Sequence, residues 1–344
     1  MSGESGIIML RGDEGVCRRL RDAHSAQPID AELPFPDGYC EPPRRQTVGA
    51  AGAVSGRGTY DGRKIRTLHF RPAPPGSGWQ IIRTDLPGQL PIPVALSSLA
   101  GANRAFVLRS GADGNRFRMA EHVICQRVGL GIDDLIIETD SEDPPLFDCG
   151  SADLAEALLS AGVVDNGPGM RECRSVKQPM MMASQSGSGF LLWTPAPGGD
   201  KSLTLDVAID FPTAIGRQRL VMGVCPQHFR VGAIARTNCS AREWRMLRCF
   251  GWLSRSWRHT GYNCRNILVA GPSHYVNRPL AALALSSGKS LEAVWHRACL
   301  DLVAALSLLP FHPAGRITSY CAGHRLDCEF LTALLCRDSF VAVS

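Results

Sequence analysis

The sequence predicts an α+β protein, on three observations. Strand-like and helix-like stretches mix in both halves, without the regular alternation of a doubly wound parallel sheet. Hydrophobic residues make up 44% and charged residues 20% of the 344 positions, the balance of a chain that buries a full core. The same grammar of alternating strands followed by an amphipathic helix comes twice, which suggests two similar halves, although no residue-level repeat accompanies it. That length suits one large domain or two of ordinary size.

The elements follow in order. Residues 1–44 lack clear periodicity, and "AELPFPDGYCEPPRR" is rich in proline and charge, so this stretch is expected to be an irregular N-terminal arm. A first α+β domain is expected over 45–165. Within it "RKIRTLHF" alternates as a half-buried strand does, "RPAPPGSG" is a turn-rich loop, and "WQIIRTDL" is a second strand. "RMAEHVICQRVGLG" reads as a short helix closed by glycine, and "DDLIIETD" as the strand after it. "SADLAEALLSAG" is an amphipathic helix with Ser151 as N-cap and Gly162 at its C-terminal end. "VVDNGPGMRECRS" (163–175) is the expected linker. The second α+β domain, 166–344, opens with the strand "KSLTLDVAIDF" and several shorter strands. It continues with the long helix "SLEAVWHRACLDLVAALSLLP", stopped by Pro310. A strand running into a loop, "GRITSYCAGHRL", and a last helix, "DCEFLTALL", complete it.

Composition excludes several function classes. The net charge of +5 is spread along the chain with no dense Lys/Arg block, so a nucleic-acid partner has no support, while an anionic small substrate is compatible. The 13 cysteines form no CxxC pair, and the opening "MSGESGIIMLRGDEGVCRRL" turns charged after four apolar residues. Both features predict free thiols in a reducing cytoplasm. No apolar run reaches the ~18 residues of a membrane span.

Four groups of residues carry candidate chemistry. Glu121 stands next to His122; a histidine binds a metal through neutral imidazole, and an adjacent carboxylate can serve as general base on the metal's water. His296 or Arg297 lies near Asp301 on the long helix. His324 follows a strand in "CAGHRL", with Cys321 three residues before it. Arg236 and Thr237 sit in "ARTNCS", where a threonine hydroxyl can donate to a developing oxyanion. Singly, each is also an ordinary packed or solvated residue, and a Cys321–His324 thiol mechanism has nothing else beside it.

Their order adds weight. "RMAEHVICQRVGLGIDDLIIETDSEDPPLFDCGSADLAEALLSAGV" resembles the zinc-dependent UDP-3-O-acyl-N-acetylglucosamine deacetylases, the LpxC family of lipid A synthesis, with their "VEHLLAALAGLGIDN" segment and following "DGS" turn. "RPAPPGSGWQIIRTDL", "ARTNCS" and "LDLVAALSLLPFHPAGRITSYCAGHRLDCEFLTALL" are similar to three further family segments. The resemblance runs from about Arg45 to the C-terminus. It implies two small sheet-and-helix domains stacked face to face with an active site between them, in a monomeric amide hydrolase acting on a UDP-linked acylated glucosamine. It also implies Zn2+ as cofactor. Glu121 matches the general base, His122 and Asp301 match zinc ligands, His324 matches the acid or charge-stabilising histidine, and Thr237 matches the threonine beside the carbonyl oxygen.

The chain is a divergent member by the same comparison. The family's second zinc histidine precedes the aspartate by four residues, which puts the two side chains ~40° apart on an α-helix. Four residues before Asp301 stands Arg297, which has no lone pair for a metal. His296, one residue further out, points ~140° away in a regular helix. It joins the site only through a one-residue insertion such as a π-bulge, and Arg297 then takes the place of the family's lysine on the substrate side. Both registers remain open on the sequence. The family aspartate that orients the catalytic histidine falls on Ala305, Cys149 is inserted in "DCGSA", "FVL" (106–108) replaces a "TTL"-type segment, and Asn238 replaces phenylalanine. These departures leave a second reading: a paralogue of the same fold that has lost much of the reaction and binds a nucleotide sugar, acyl chain or protein partner.

Overall fold

The structure is a computed structural model that describes residues 6–253 and 259–343. It is a mixed α+β fold with eight α-helices and several β-sheets among the described residues. In the first half a six-stranded sheet runs in the order 145–146, 52–58, 65–72, 135–139, 79–83, 92–93. Helices α2 (Glu121–Gly129) and α3 (Ala152–Ser160) belong to this half. In the second half a seven-stranded sheet has the order 8–11, 180–183, 190–194, 315–320, 203–211, 216–223, 31–33. Its helices are α4 (Pro226–Ala233), α5 (Ala241–Leu253), α6 (Glu292–His296), α7 (Val303–Leu306) and α8 (His324–Cys336). A π-helical turn, Arg297–Leu302, joins α6 to α7.

One hydrophobic core spans both halves. It takes Leu68, Trp79 and Ile81 from the first sheet, Leu191, Leu205 and Ile317 from the second, and Ile124, Ala298 and Leu302 from the helices. The halves also meet through Arg127 of α2, whose buried guanidinium donates to the carbonyls of Ser307 (2.5 Å) and Leu309 (2.6 Å). A bare glycine surface is required at one contact. A Cβ on Gly129 would lie 2.2 Å from the Phe229 ring, so α2 and α4 approach only because position 129 has no side chain.

Two expectations are corrected. The N-terminal arm is not irregular over its described part, residues 6–44. The strand Ile8–Arg11 pairs with Met180–Ala183, and the strand Ala31–Leu33 pairs with Gly216–Gly223, so the arm supplies both edges of the seven-stranded sheet. Between them α1 (Glu14–Ser25), capped by Asp13 on the Val16 amide, crosses the sheet face that the main core leaves bare. Its Cys17 and Leu20 pack with Met181, Phe190, Ala208 and Tyr320. Met180 and Met182 face the main core while Met181 faces this second cluster, which explains an apolar run where a half-exposed strand would alternate. The expected linker is likewise ordered: Val163–Met170 is a strand, antiparallel to Arg44–Val48.

The α1 face also buries a charged knot. Asp206, 2% exposed, accepts from Arg219 (2.9 Å from both Nε and Nη2), Arg316 (2.7 Å) and His24 Nε2 (3.1 Å). Burial alone would raise its carboxyl, but these donors more than offset that and hold it far below the usual carboxylate range. A depressed folded pKa gives stability that is present above the unfolded value of ~4 and is lost as pH falls through the folded one. We expect Asp206→Asn to cost toward the lower end of about 3–5 kcal/mol at neutral pH, because it leaves Arg219 uncompensated. The variant should also flatten the fall of Tm below pH ~4, and thermal melts across that range check both.

Candidate active site

Six side chains named by the sequence meet in one place. Glu121 and His122 begin α2, and the turn before α3 fixes them. Ser151, expected to cap α3, does not cap it; its hydroxyl donates instead to the carbonyl of His122 (2.5 Å). Gly150, at φ +54°, lies where a Cβ would strike the Ala233 and Ala235 carbonyls at 2.4 Å, so this turn is clamped to the segment leading to Thr237. Thr237 itself follows Arg236, whose buried guanidinium grips Glu292 of α6 (2.6 and 3.0 Å). That ion pair sets the 237–240 strand beside α6 and its last residue, His296.

The register question is answered by the π-turn. With one extra residue between them, His296 and Asp301 face each other, Nδ1 to Oδ1 at 3.5 Å. His296 Nε2 lies 3.1 Å from Thr237 Oγ1, and His122 Nε2 lies 3.3 Å from the same oxygen. His324 begins α8, rather than lying in a turn, and its Nε2 is 3.7 Å from Asp301 Oδ1 and 3.9 Å from Glu121 Oε1. Its ring stands edge-on to Phe106, centroids 4.9 Å apart.

Arg297 goes elsewhere. The sequence allowed it to pair with Asp301 or to serve on the substrate side. Its guanidinium instead donates to both oxygens of Asp327 (2.8 and 2.5 Å) and to Ser319 Oγ (3.2 Å), although it still lies at the back of the same cleft. Asp327 was missed by sequence reasoning: it lies 30 residues downstream on another element, and nothing local marks it as Arg297's partner.

The electrostatics separate these groups by role. Burial pushes the Glu121 carboxyl up to about 7, only partly opposed by His324 and by the Phe106 amide that donates to Oε2 (2.7 Å). Desolvation and the neighbouring His296 push His122 down to about 3, so its imidazole is neutral. His296 is lowered too, mainly by burial. Burial would raise Asp301, but His296, His324 and Arg297 outweigh it and keep the carboxylate ionised. The Cys321 thiol is pushed up by burial, which removes the thiolate that a Cys321–His324 mechanism would need.

Two neutral imidazoles and one ionised carboxylate are the protonation states that a divalent cation requires. Among the described residues, no three His, Cys, Asp or Glu side chains are drawn together at metal-ligand spacing. The donor chemistry fits nonetheless. His122 Nδ1, Asp301 Oδ1 and His324 Nδ1 are buried without a hydrogen-bond partner, a costly state for groups that nothing else is to engage. The cluster opens on a cleft of about 880 Å³, whose wall includes Asp210, Phe211, Asn238, Ser240, Met246 and Gly323.

A family model described as UDP-3-O-acyl N-acetylglycosamine deacetylase matches residues 45–336. A protein of Trichormus variabilis (strain ATCC 29413 / PCC 7937), named UDP-3-O-acyl-N-acetylglucosamine deacetylase, is 26% identical over 293 residues, covering 85% of this chain and 98% of the relative. The family model begins at residue 45 and leaves the N-terminal arm outside its match.

Proposed function

The chain belongs to the UDP-3-O-acyl N-acetylglycosamine deacetylase (LpxC) family, and from that premise we propose that it is a zinc-dependent N-deacetylase. Its substrate is a UDP-3-O-acyl-N-acetylglucosamine, and its reaction is a cytoplasmic step of lipid A biosynthesis carried out by a monomer. Among the described residues no helix is long and apolar enough to cross a membrane, which accords with this reading. The fold is read as two stacked α+β domains, 45–165 and 166–344, with the site between them.

The observation that carries the reading is the convergence of Glu121, His122, Thr237, His296, Asp301 and His324 in one cluster, of which Thr237, His296, Asp301 and His324 line the cleft. His122, His296 and Asp301 would hold the zinc, which supplies a bound water of pKa ≈ 7 and a polarised carbonyl. Glu121 takes a proton from the attacking water, with its second oxygen held by the Phe106 amide. The Thr237 hydroxyl donates to the carbonyl oxygen as it gains charge. As the C–N bond breaks, His324 gives a proton to the leaving amine, and acetate and the free amino sugar depart. The family's orienting aspartate is absent at Ala305, which is buried in the core. Asp301 and Glu121 flank His324 in its stead.

Metal analysis with an acetate-release assay on purified protein tests this. The expected result is about one zinc per chain, acetate released from the acylated substrate, and a Tm lowered by chelator, since zinc binds only the folded state. A folded protein with neither zinc nor acetate release overturns it. A folded protein whose Tm does not respond to chelator would favour the paralogue that keeps the fold without the reaction, the reading that Ala305 keeps open.

A further inference from the structure

Resting on that zinc reading, we propose that Asp327 is a positioning residue: it holds the Arg297 guanidinium away from Asp301 and thereby keeps the helical register that sets His296 against Asp301. Arg297 and His296 are rivals for one place. In an uninterrupted α-helix Arg297, four residues before Asp301, shares its face, and His296 turns ~140° away. With the π-turn over Arg297–Leu302, His296 faces Asp301 and Arg297 is displaced to the neighbouring face. A π-turn is an irregular arrangement, and it holds here only if the Arg297 cation, where present, has a partner other than Asp301.

Asp327 is that partner. It lies in the first turn of α8, three residues after His324, and takes the guanidinium of Arg297 in a two-pronged pair, with Ser319 of the adjoining strand as third contact. Arg297 is 5% exposed, and Asp327 and Ser319 are fully buried, so the guanidinium has no water to fall back on. The nearest alternative acid is Asp301, whose Oδ1 has no hydrogen-bond partner. Without the Asp327 charge, the buried guanidinium is better placed on Asp301, the helix reverts to regular register, and His296 leaves. The same pair ties the helix carrying His296 and Asp301 to the helix carrying His324.

The test is zinc affinity of the whole chain, measured by competition with a chromophoric chelator, for Asp327→Asn and for the double variant Arg297→Gln/Asp327→Asn. Asp327→Asn is expected to weaken zinc binding about 10–100-fold, with kcat falling in step and KM little changed. The double variant, which removes the rival cation, is expected to recover affinity to within about threefold of the parent. A pair that merely supports packing gives no such recovery. Zinc affinity of Asp327→Asn equal to the parent, or a double variant no better than the single, overturns the proposal and leaves the deacetylase reading standing. A parent chain that binds no zinc overturns both.

Discussion

Replacing Glu121 by glutamine is expected to lower kcat by about 10²–10⁴-fold, with KM, fold and zinc content nearly unchanged. Three features of the site set that size. The carboxyl is buried at the start of α2, and desolvation lifts it to about 7, where a carboxylate accepts a proton at neutral pH with little penalty. Its two oxygens have separate roles, Oε2 accepting the Phe106 amide while Oε1 faces His324. Glutamine keeps an acceptor for the amide, so the loop at Phe106 stays in place, but it cannot take a proton. Asp301 cannot substitute, because its histidine neighbours keep it ionised and its role is to hold the metal. Single-turnover acetate release, with zinc measured on the same sample, is the check. A variant with more than about a tenth of the parent rate would remove Glu121 from the base role.

How far the sequence shows this site varies from residue to residue. Glu121 and His122 are adjacent, so they are visible as a pair wherever the helix begins. Thr237, Asp301 and His324 are recognisable only by their order in the chain, because the contacts among them are long-range. The π-turn is legible as one of two registers and no more, since its determinant, Asp327, lies 30 residues away on another helix. Ser151 carries the signature of a helix cap, yet its hydroxyl serves the His122 carbonyl, a tertiary contact that outbids the local one. Helix α1 escapes notice because its buried face is only Cys17, Leu20 and His24, and the last of these carries no hydrophobic signal. The strand 163–170 resembles a linker because its glycines and proline hide a pairing partner more than a hundred residues earlier in the chain.

His296→Ala is expected to weaken zinc binding by more than the about 10–100-fold that loss of an outer partner costs, and to remove activity with it. Arg297→Gln is expected to leave zinc bound. The contrast follows from the geometry of one turn. His296 puts Nδ1 toward Asp301 and Nε2 toward Thr237 and His122, so truncation takes away a donor from the centre of the cluster. Arg297, one residue later, has its guanidinium on Asp327 and Ser319, and it is always protonated. Its removal leaves the Asp327 carboxyl buried without its cation. Burial already raises that carboxyl, so protonation limits the damage to stability. Arg297→Gln should therefore lower Tm while sparing the metal, and His296→Ala should abolish the chelator's effect on Tm. A His296→Ala variant whose metal content and chelator response equal the parent's would mean that the helix runs in regular register in solution. The donor set would then be His122 and Asp301 alone, two ligands where a catalytic zinc needs three, and the chain would belong among the members of its family that keep the fold without the reaction.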